Sequence, residues 1–337
     1  MNDGAPKPGL IDRFDRRITY LRLSVTDRCN LRCAYCMPER MTFLPRRDLL
    51  SLDELLRLAD AFIDRGITRI RLTGGEPLVR RDAVQLMTAL GRRLGRGLEE
   101  LTLTTNATQL PAHAEAIRAA GVERINISLD TLDRATFACL TRSDALPQVL
   151  GGIAAARDAG LRVKLNTVVL KGVNEAKLAD LIAWAHGQGH DVSLIEVMPL
   201  GDVAADRLDQ YVPLDAVRRR LEERWTLRPS RHRTAGPARY VDVVETGGRL
   251  GFITPLTHNF CGGCNRVRVT ATGQLYPCLG GGEQVDLRAA VRADDGEAAL
   301  SAAMDAALRI KPERHAFAID AHGSGPAQPR HMSVTGG

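Results

Sequence analysis

The sequence predicts an α/β protein: a partial (β/α)6 TIM-like barrel followed by a C-terminal α+β extension. Three observations carry this. Between residues 18 and 198, short apolar strand patterns alternate with helical ones, the rhythm of parallel strands joined by crossover helices. Within those strands apolar and polar residues alternate, so one face packs on helices while the other turns inward. Beyond Met198 the rhythm stops and antiparallel patterns follow.

Strand patterns fall at 18–25, 68–73, 101–105, 124–129, 162–170 and 192–198. Helical patterns fall at 52–65, 81–94, 112–120, 146–159 and 175–188. Gly66, Gly121 and Gly160 stand just past three of them, where a left-handed residue commonly closes a helix. The apolar face of the strands reads Leu21, Leu23 and Val25, then Ile70 and Leu72, Leu101 and Leu103, Ile125, Ile127 and Leu129, Val163 and Leu165, Ile195 and Val197. The opposite face reads Arg22 and Ser24, Arg71 and Thr73, Thr102 and Thr104, Asn126, Ser128 and Asp130, Lys164 and Asn166, then Glu196. An ordinary TIM-barrel lumen is filled with branched aliphatics. A polar, cationic lumen is suited to a charged ligand. The alternative is an open sheet with one solvated face, but crossover helices normally cover both faces.

Residues 199–212 read as a loop, 215–225 as an amphipathic helix and 231–237 as a basic, turn-rich stretch. Antiparallel patterns follow at 239–245, 250–254, 267–270 and 274–278, with helices at 287–291 and 298–310. Residues from 320 onward carry Gly and Pro and read as a mobile tail. The predicted organisation is a barrel over 1–200, an extension over 201–320 and a flexible Gly-Gly tail over 321–337.

The 337 residues, 44% hydrophobic, suffice for one large α/β domain or a large and a small one. No apolar run approaches the roughly 18 residues of a membrane span, and the polar N-terminus has no signal-peptide core. A cytoplasmic protein is therefore expected. The net charge of +6 comes without a basic stripe, and aromatics are 4%, so no DNA-binding surface is indicated. Six of seven cysteines form two tight sets, Cys29, Cys33, Cys36 and Cys261, Cys264, Cys278. In a cytoplasmic chain such sets serve metals rather than disulfides. The seventh, Cys139, reads as a small buried hydrophobe.

Cys29, Cys33 and Cys36 follow the first strand at C-x3-C-x2-C spacing. Three thiolates can hold three irons of a [4Fe–4S] cube, leaving the fourth iron open to a small molecule. Cleavage of S-adenosylmethionine (SAM) needs such an iron. Zinc prefers a closed set of four ligands with C-x2–4-C pairs. The spacing, with Tyr35 just before the last cysteine, resembles the radical-SAM superfamily. Thr73-Gly74-Gly75-Glu76-Pro77 ends the second strand and resembles that superfamily's GGE motif, which implies a grip on the amino group of SAM.

The second set has no obvious fourth cysteine. His258 could complete a zinc site, and spacing alone leaves a zinc ribbon-like site and an iron–sulfur cluster both open. Asn265-Arg266-Val267-Arg268 lies between the ligands. On a strand Arg266 and Arg268 point the same way, a pair of cations for an anion beside an open iron.

Taken together, these stretches resemble the GTP 3′,8-cyclase (MoaA) family, from 20–29 through 42–45, 71–77, 124–130, 163–167, 171–174 and 195–199 to the second cysteine set and Met332-Ser-Val-Thr-Gly-Gly337. The resemblance implies two [4Fe–4S] clusters, one on Cys29, Cys33 and Cys36, the other on Cys261, Cys264 and Cys278. It implies a SAM site lined by Tyr35, Gly75, Ser128 and Met198. It implies GTP surrounded by Arg22, Arg71, Thr104, Lys164, Arg266, Val267 and Arg268, with the guanine edge on the second cluster. The tail, ending in Gly336 and Gly337, would reach the active site. An electron donor of the flavodoxin or ferredoxin kind and a downstream cyclic pyranopterin monophosphate synthase are implied partners, a homodimer is compatible, and neither DNA nor a membrane is expected. One departure is visible: the family often reads Thr-Thr-Asn-Gly where this chain has Thr104-Thr105-Asn106-Ala107. If that turn needs φ > 0, Ala costs on the order of 1 kcal/mol.

Overall fold

The computed structural model describes residues 9–201, 207–317 and 328–336. The barrel segment runs β1 (Tyr20–Ser24), α1 (Leu52–Asp64), β2 (Arg69–Thr73), α2 (Ala83–Gly91), β3 (Glu100–Thr105) and α3 (Leu110–Ala119). It continues with β4 (Arg124–Ser128), α4 (Arg134–Thr141), α5 (Leu146–Asp158), β5 (Arg162–Val169), α6 (Leu178–Gly187) and β6 (Asp191–Glu196). The extension adds α7 (Arg207–Gln210), α8 (Leu214–Glu222), β7 (Leu227–Pro229), β8 (Arg239–Val243), β9 (Arg249–Ile253) and β10 (Arg266–Val269). It ends with β11 (Gln274–Tyr276), β12 (Val285–Asp286), α9 (Leu287–Arg292), α10 (Gly296–Arg309) and α11 (Met332–Thr335).

One twelve-stranded sheet holds both segments, in the order β12-β11-β10-β1-β2-β3-β4-β5-β6-β9-β8-β7. The antiparallel patterns expected in the extension are present as β8–β9 and β10–β11. Composition did not reveal that β10 also joins β1, and β9 joins β6, both in parallel. The extension therefore continues the barrel at both edges, and the expected division near residue 200 does not divide the sheet. The 254–265 segment, with Cys261 and Cys264, links strands at opposite edges.

Helix α1 shows how the outer layer forms. Ser51 and Glu54 make a capping box, Ser51 Oγ accepting from the Glu54 amide and Glu54 Oε2 from the Ser51 amide. Leu55, Leu58 and Phe62 fall on one face and are buried, each burial contributing about 2 kcal/mol. They pack with the apolar strand face: Leu21, Leu23, Ile70, Leu72, Leu103, Ile125 and Ile127 are fully buried in one core. The polar face is buried too, including Ser24, Arg71, Thr73, Thr104, Asn126 and Lys164. The open, solvated sheet is thereby excluded.

The C-terminal segment differs from the mobile tail that its Gly and Pro content suggests. Of its described part, residues 328–336, Gln328 pairs with Leu200, and the Gly201 amide donates to the Gln328 carbonyl at 2.8 Å. Arg330 donates to the carbonyls of Leu279 and Gly281 and stacks 4.1 Å from the Tyr276 ring centre. Ser333 and Thr335 are buried. Cations and small residues anchor this stretch where an apolar pattern would be sought in vain. Gly337 lies outside the described residues. Cys139 is exposed, not buried as expected; it sits on the outer side of α4, whose buried residues are Phe137, Leu140 and Thr141.

Candidate active site

Parallel strands place all their C-terminal ends at one mouth, and the first cysteine loop opens there, just beyond β1. The Gly74-Gly75 turn presses against its leading segment. A Cβ on Gly74 would lie 2.4 Å from the Thr26 carbonyl oxygen, and one on Gly75 2.4 Å from that of Arg28. Any side chain at either position displaces the backbone that delivers Cys29. The amides of Gly75 and Glu76 donate to those same two carbonyls at 2.9 and 2.8 Å.

Glu76 has a different task from the one its motif suggested. It is fully buried and accepts from the Leu78 amide at 3.0 Å, Thr105 Oγ1 at 2.8 Å and the Asn106 amide at 2.6 Å. Burial nevertheless raises its pKa to about 7. Its carboxylate braces the β3 turn rather than reaching for an ammonium. That turn in turn holds the cysteine loop, because Asn106 Nδ2 donates to Asn30 Oδ1 at 2.8 Å and approaches Cys29 Sγ at 3.8 Å.

A cavity at this mouth brings together Cys29, Cys33 and Cys36 with Tyr35, Gly75, Ser128 and Met198, all anticipated from the sequence. Met332 and Ser333 of α11 also line it. Tyr35 Oη donates to Asp130 Oδ2 at 2.6 Å, and Asp130 Oδ1 accepts from the Val168 amide at 2.8 Å. Burial raises Asp130 to about 6. Asn106, Asp130 and Asn166, the last lining the cavity with an unpartnered buried Oδ1, were not singled out for this site. Asp130 and Asn166 stand on the recognised polar face; Asn106 sits in the turn beside Ala107.

Further down the lumen the register sets cations side by side. Arg22 of β1 faces Arg71 of β2 on one side and Arg268 of β10 on the other. Lys164 of β5 lies opposite Asn126 of β4, which lies opposite Thr104 of β3. Arg71, Lys164, Arg266 and Arg268 are all buried, and among the described residues none of the four is in an ion pair with a carboxylate. The Nε groups of Arg71, Arg266 and Arg268, and Thr104 Oγ1, are buried without hydrogen-bond partners. Burial lowers Lys164 to about 7, helped by Arg71 and Arg124, and Arg268 to about 10, helped by Arg266. Burial, then Arg268 and Arg71, depresses Arg22 as well. Val267 turns the other way, into the core, so its backbone alone could serve a ligand. Glu196 lines the cavity at the cysteine mouth and also accepts from the Leu214, Leu256 and Thr257 amides, tying the extension to β6.

The second cysteine set sits at the opposite mouth. Cys261 and Cys264 precede β10 and Cys278 follows β11, its antiparallel partner, which places all three at the N-terminal ends of the parallel strands. His258, the fourth ligand a zinc site would need, instead donates from Nε2 to Asp215 Oδ2 at 2.8 Å. Among the described residues no three His, Cys, Asp or Glu side chains converge enough to share one metal ion. Each set fits a cluster by its chemistry. Burial raises Cys29 to about 11, and burial with the charges of Cys36, Asp130 and Cys29 raises Cys33. Burial likewise raises Cys261, with Cys278 and Cys264 adding to it. Thiolates crowded and desolvated in this way are stabilised by bound iron.

The tail enters between the two mouths. Gly336 has φ 75°, and a Cβ there would lie 2.2 Å from Thr73 Cγ2; its conformation and its contact with β2 both require glycine.

Comparisons with known proteins agree with this architecture. A family model described as Radical SAM superfamily matches residues 23–185, and one described as Molybdenum Cofactor Synthesis C matches 190–317. A GTP 3′,8-cyclase of Erythrobacter litoralis is 71% identical over 97% of this chain and 98% of its own length. That of Rhizobium etli is 57% identical over 97% of this chain and 94% of its own. Among solved structures, Streptococcus suis SuiB bound to S-adenosylmethionine aligns with a TM-score of 0.61 at 16% identity, covering 87% of this chain and 68% of that one. At that identity the likeness concerns the fold.

Proposed function

Because the chain belongs to the GTP 3′,8-cyclase family of radical-SAM enzymes, we infer that its cationic lumen is the GTP site and the cysteine mouth at β1 the SAM site. The enzyme converts GTP to (8S)-3′,8-cyclo-7,8-dihydroguanosine 5′-triphosphate, the first step of molybdenum cofactor biosynthesis. SAM and iron–sulfur chemistry belong to the family. Two [4Fe–4S] clusters, one per cysteine set, are the proposal.

An iron–sulfur cluster held by Cys29, Cys33 and Cys36 would supply the electron that cleaves SAM. The residues around it position and protect. Gly75 leaves room for the backbone on which SAM would lie, Tyr35 is fixed by Asp130, and Ser128 and Met198 close the cavity wall. SAM cleavage would supply a 5′-deoxyadenosyl radical to take the ribose 3′ hydrogen; the resulting 3′ carbon radical would add to C8 of the same guanine, and one further electron with a proton would complete the 7,8-dihydro product. That step needs the ribose held beneath the SAM mouth. Arg22, Arg71, Thr104, Lys164, Arg266 and Arg268 are assigned to GTP, mainly its triphosphate, with the Val267 backbone beside them. In a water-excluded lumen each contact is strengthened. Cys261, Cys264 and Cys278 would hold the second cluster, which would supply an open iron for the guanine edge. Residues 1–200 thus carry the radical-generating site and share with 201–320 the task of holding its target. Gly336, at the end of the described tail, borders the same space against Thr73.

One observation carries this assignment: buried donors of Arg71, Arg266 and Arg268 lie unpartnered in a single lumen. Buried polar groups are nearly always satisfied, so a polyanionic ligand is their missing partner. Anaerobic calorimetry with GTP tests it. Wild-type protein should bind GTP with a salt-dependent affinity, and R71A and R268A should each weaken binding by more than about tenfold. Unchanged affinity in both variants would refute the assignment.

SAM reduction requires a one-electron donor, for which a flavodoxin or ferredoxin is proposed, and the cyclised triphosphate is the substrate of cyclic pyranopterin monophosphate synthase. Every proposed ligand comes from a single chain, so a monomer and a homodimer suit the site equally. No helix among the described residues is long and apolar enough to cross a membrane; the cytoplasm is the proposed location.

A further inference from the structure

Lys311 is among the most completely buried large side chains of the protein, 1% exposed, and no step assigned above uses it. It follows α10, far in sequence from the cysteines. Its ammonium donates to Cys264 Sγ at 3.5 Å, to the Arg266 carbonyl at 3.1 Å and to the Pro277 carbonyl at 2.5 Å. Cys264 is one proposed ligand, and Pro277 immediately precedes another, Cys278. One cation therefore ties together two ligand-bearing segments and reaches a sulfur.

The surrounding stretch acts in the same direction. Arg16, held by Asp12 at 2.7 Å, donates to the carbonyls of Cys261, Pro312 and Glu313 at 2.8, 2.7 and 2.8 Å. Residues 311–313 are thus clamped against the second cysteine loop, and Lys311 presents a donor to one of its sulfurs. Burying a lone ammonium is costly unless it meets negative charge, and a thiolate-ligated cluster at Cys264 provides that charge.

We propose that Lys311 is a positioning residue for the second cluster, holding the Cys264 and Cys278 segments in register and raising the cluster's reduction potential through its N–H···S bond and charge. The inference rests on the two-cluster assignment. A cluster gains one electron on reduction, and no bond is made or broken. A nearby cation and a hydrogen bond to sulfur stabilise the reduced, more negative form. The first cluster, at the other mouth, should not respond.

The test is an anaerobic dithionite redox titration of reconstituted holoenzyme, followed by electron paramagnetic resonance. The first cluster's signal is identified by its loss in C29A/C33A/C36A. Wild type, K311M and K311Q are compared, with iron counted in each. Expected is about eight irons per wild-type chain, four per cluster. The second cluster's reduced-to-oxidised ratio at fixed potential should fall about tenfold in K311M, about 59 mV for one electron, and by less in K311Q, which keeps a donor. Loss of the second cluster alone in K311M, with K311Q retaining it at lowered potential, also supports the role. Unchanged potentials with both clusters retained in K311M overturn it. If K311M fails to fold, an unchanged potential in K311Q overturns it. A wild-type chain with one cluster and about four irons would instead refute the two-cluster assignment.

Discussion

Arg22 and Arg268 stand directly opposite each other in the parallel register of β1 and β10, like charges on neighbouring strands inside a buried lumen. Like charges facing across a sheet destabilise it by roughly 0.2–1 kcal/mol, so the ligand-free protein carries strain that an anion removes. R268M should leave the melting temperature of the ligand-free holoenzyme unchanged or raise it, while cutting the GTP-induced upshift. Differential scanning calorimetry with and without GTP reads both effects. A variant that melts lower but keeps its full GTP upshift would contradict this account.

Lys164 gives the lumen a pH signature with two opposite signs. Burial first, then Arg71 and Arg124, bring its ammonium from 10.5 to about 7, with Tyr240 Oη 3.3 Å away. In the unfolded chain the group stays protonated up to its ordinary value, so between pH 7 and about 10 the unfolded state binds more protons and stability rises with pH. GTP works in reverse. A triphosphate restores the charge, binding takes up a proton, and affinity falls on the order of tenfold per pH unit above 7. Calorimetric titrations at several pH values should show this slope in wild type and its loss in K164M. A slope retained by K164M would place the proton elsewhere.

Gly75 has no room for a methyl group, since a Cβ would meet the Arg28 carbonyl oxygen at 2.4 Å. G75A should therefore displace the Cys29 loop and lower occupancy of the first cluster, leaving the second intact. Iron analysis should show about half the wild-type content, with the loss confined to the first cluster's signal. Full occupancy of both clusters would contradict it.

Ala107 has φ 68°, the left-handed conformation that the departure from Thr-Thr-Asn-Gly raised as a concern. Relief of that strain is worth roughly 1–2 kcal/mol, against about 0.8 kcal/mol for the lost buried methyl. A107G should raise the urea midpoint by the equivalent of less than about 1 kcal/mol with an unchanged slope. A lowered midpoint would show that the turn is not strained.

Deletion of Gly336 and Gly337 should abolish cyclisation while both clusters remain. Gly336 lies against Thr73, beyond the SAM-side residues Met332 and Ser333. Product analysis beside iron content separates this outcome from simple misfolding, and full activity of the truncated protein would refute a role for the tail's end.

Much of this was legible in the sequence because strands repeat every two residues. Arg22, Arg71 and Lys164 fall on one face by counting, and so do Arg266 and Arg268. Pairing across sequence is not written that way: nothing local to 249–253 or 266–269 shows that these strands join β6 and β1 in parallel. The bracing role of Glu76 was not legible because a motif gives its identity, while its partners Thr105 and Asn106 lie about thirty residues away. Lys311 and Arg330 escaped for the same reason, each being a lone cation in an aperiodic stretch whose acceptors are distant carbonyls and a sulfur. Tail packing was hidden because glycine and proline signal irregular backbone without saying whether it is buried.

The most direct test of the central claim, that SAM and GTP meet in one cationic lumen, is label transfer. Holoenzyme is incubated anaerobically with SAM, dithionite and GTP deuterated at the ribose 3′ carbon. The account predicts a cyclised guanosine triphosphate together with 5′-deoxyadenosine carrying the deuterium, and loss of both products when Arg268 is replaced. Unlabelled 5′-deoxyadenosine, formed equally well without GTP and with no cyclised product, would contradict it.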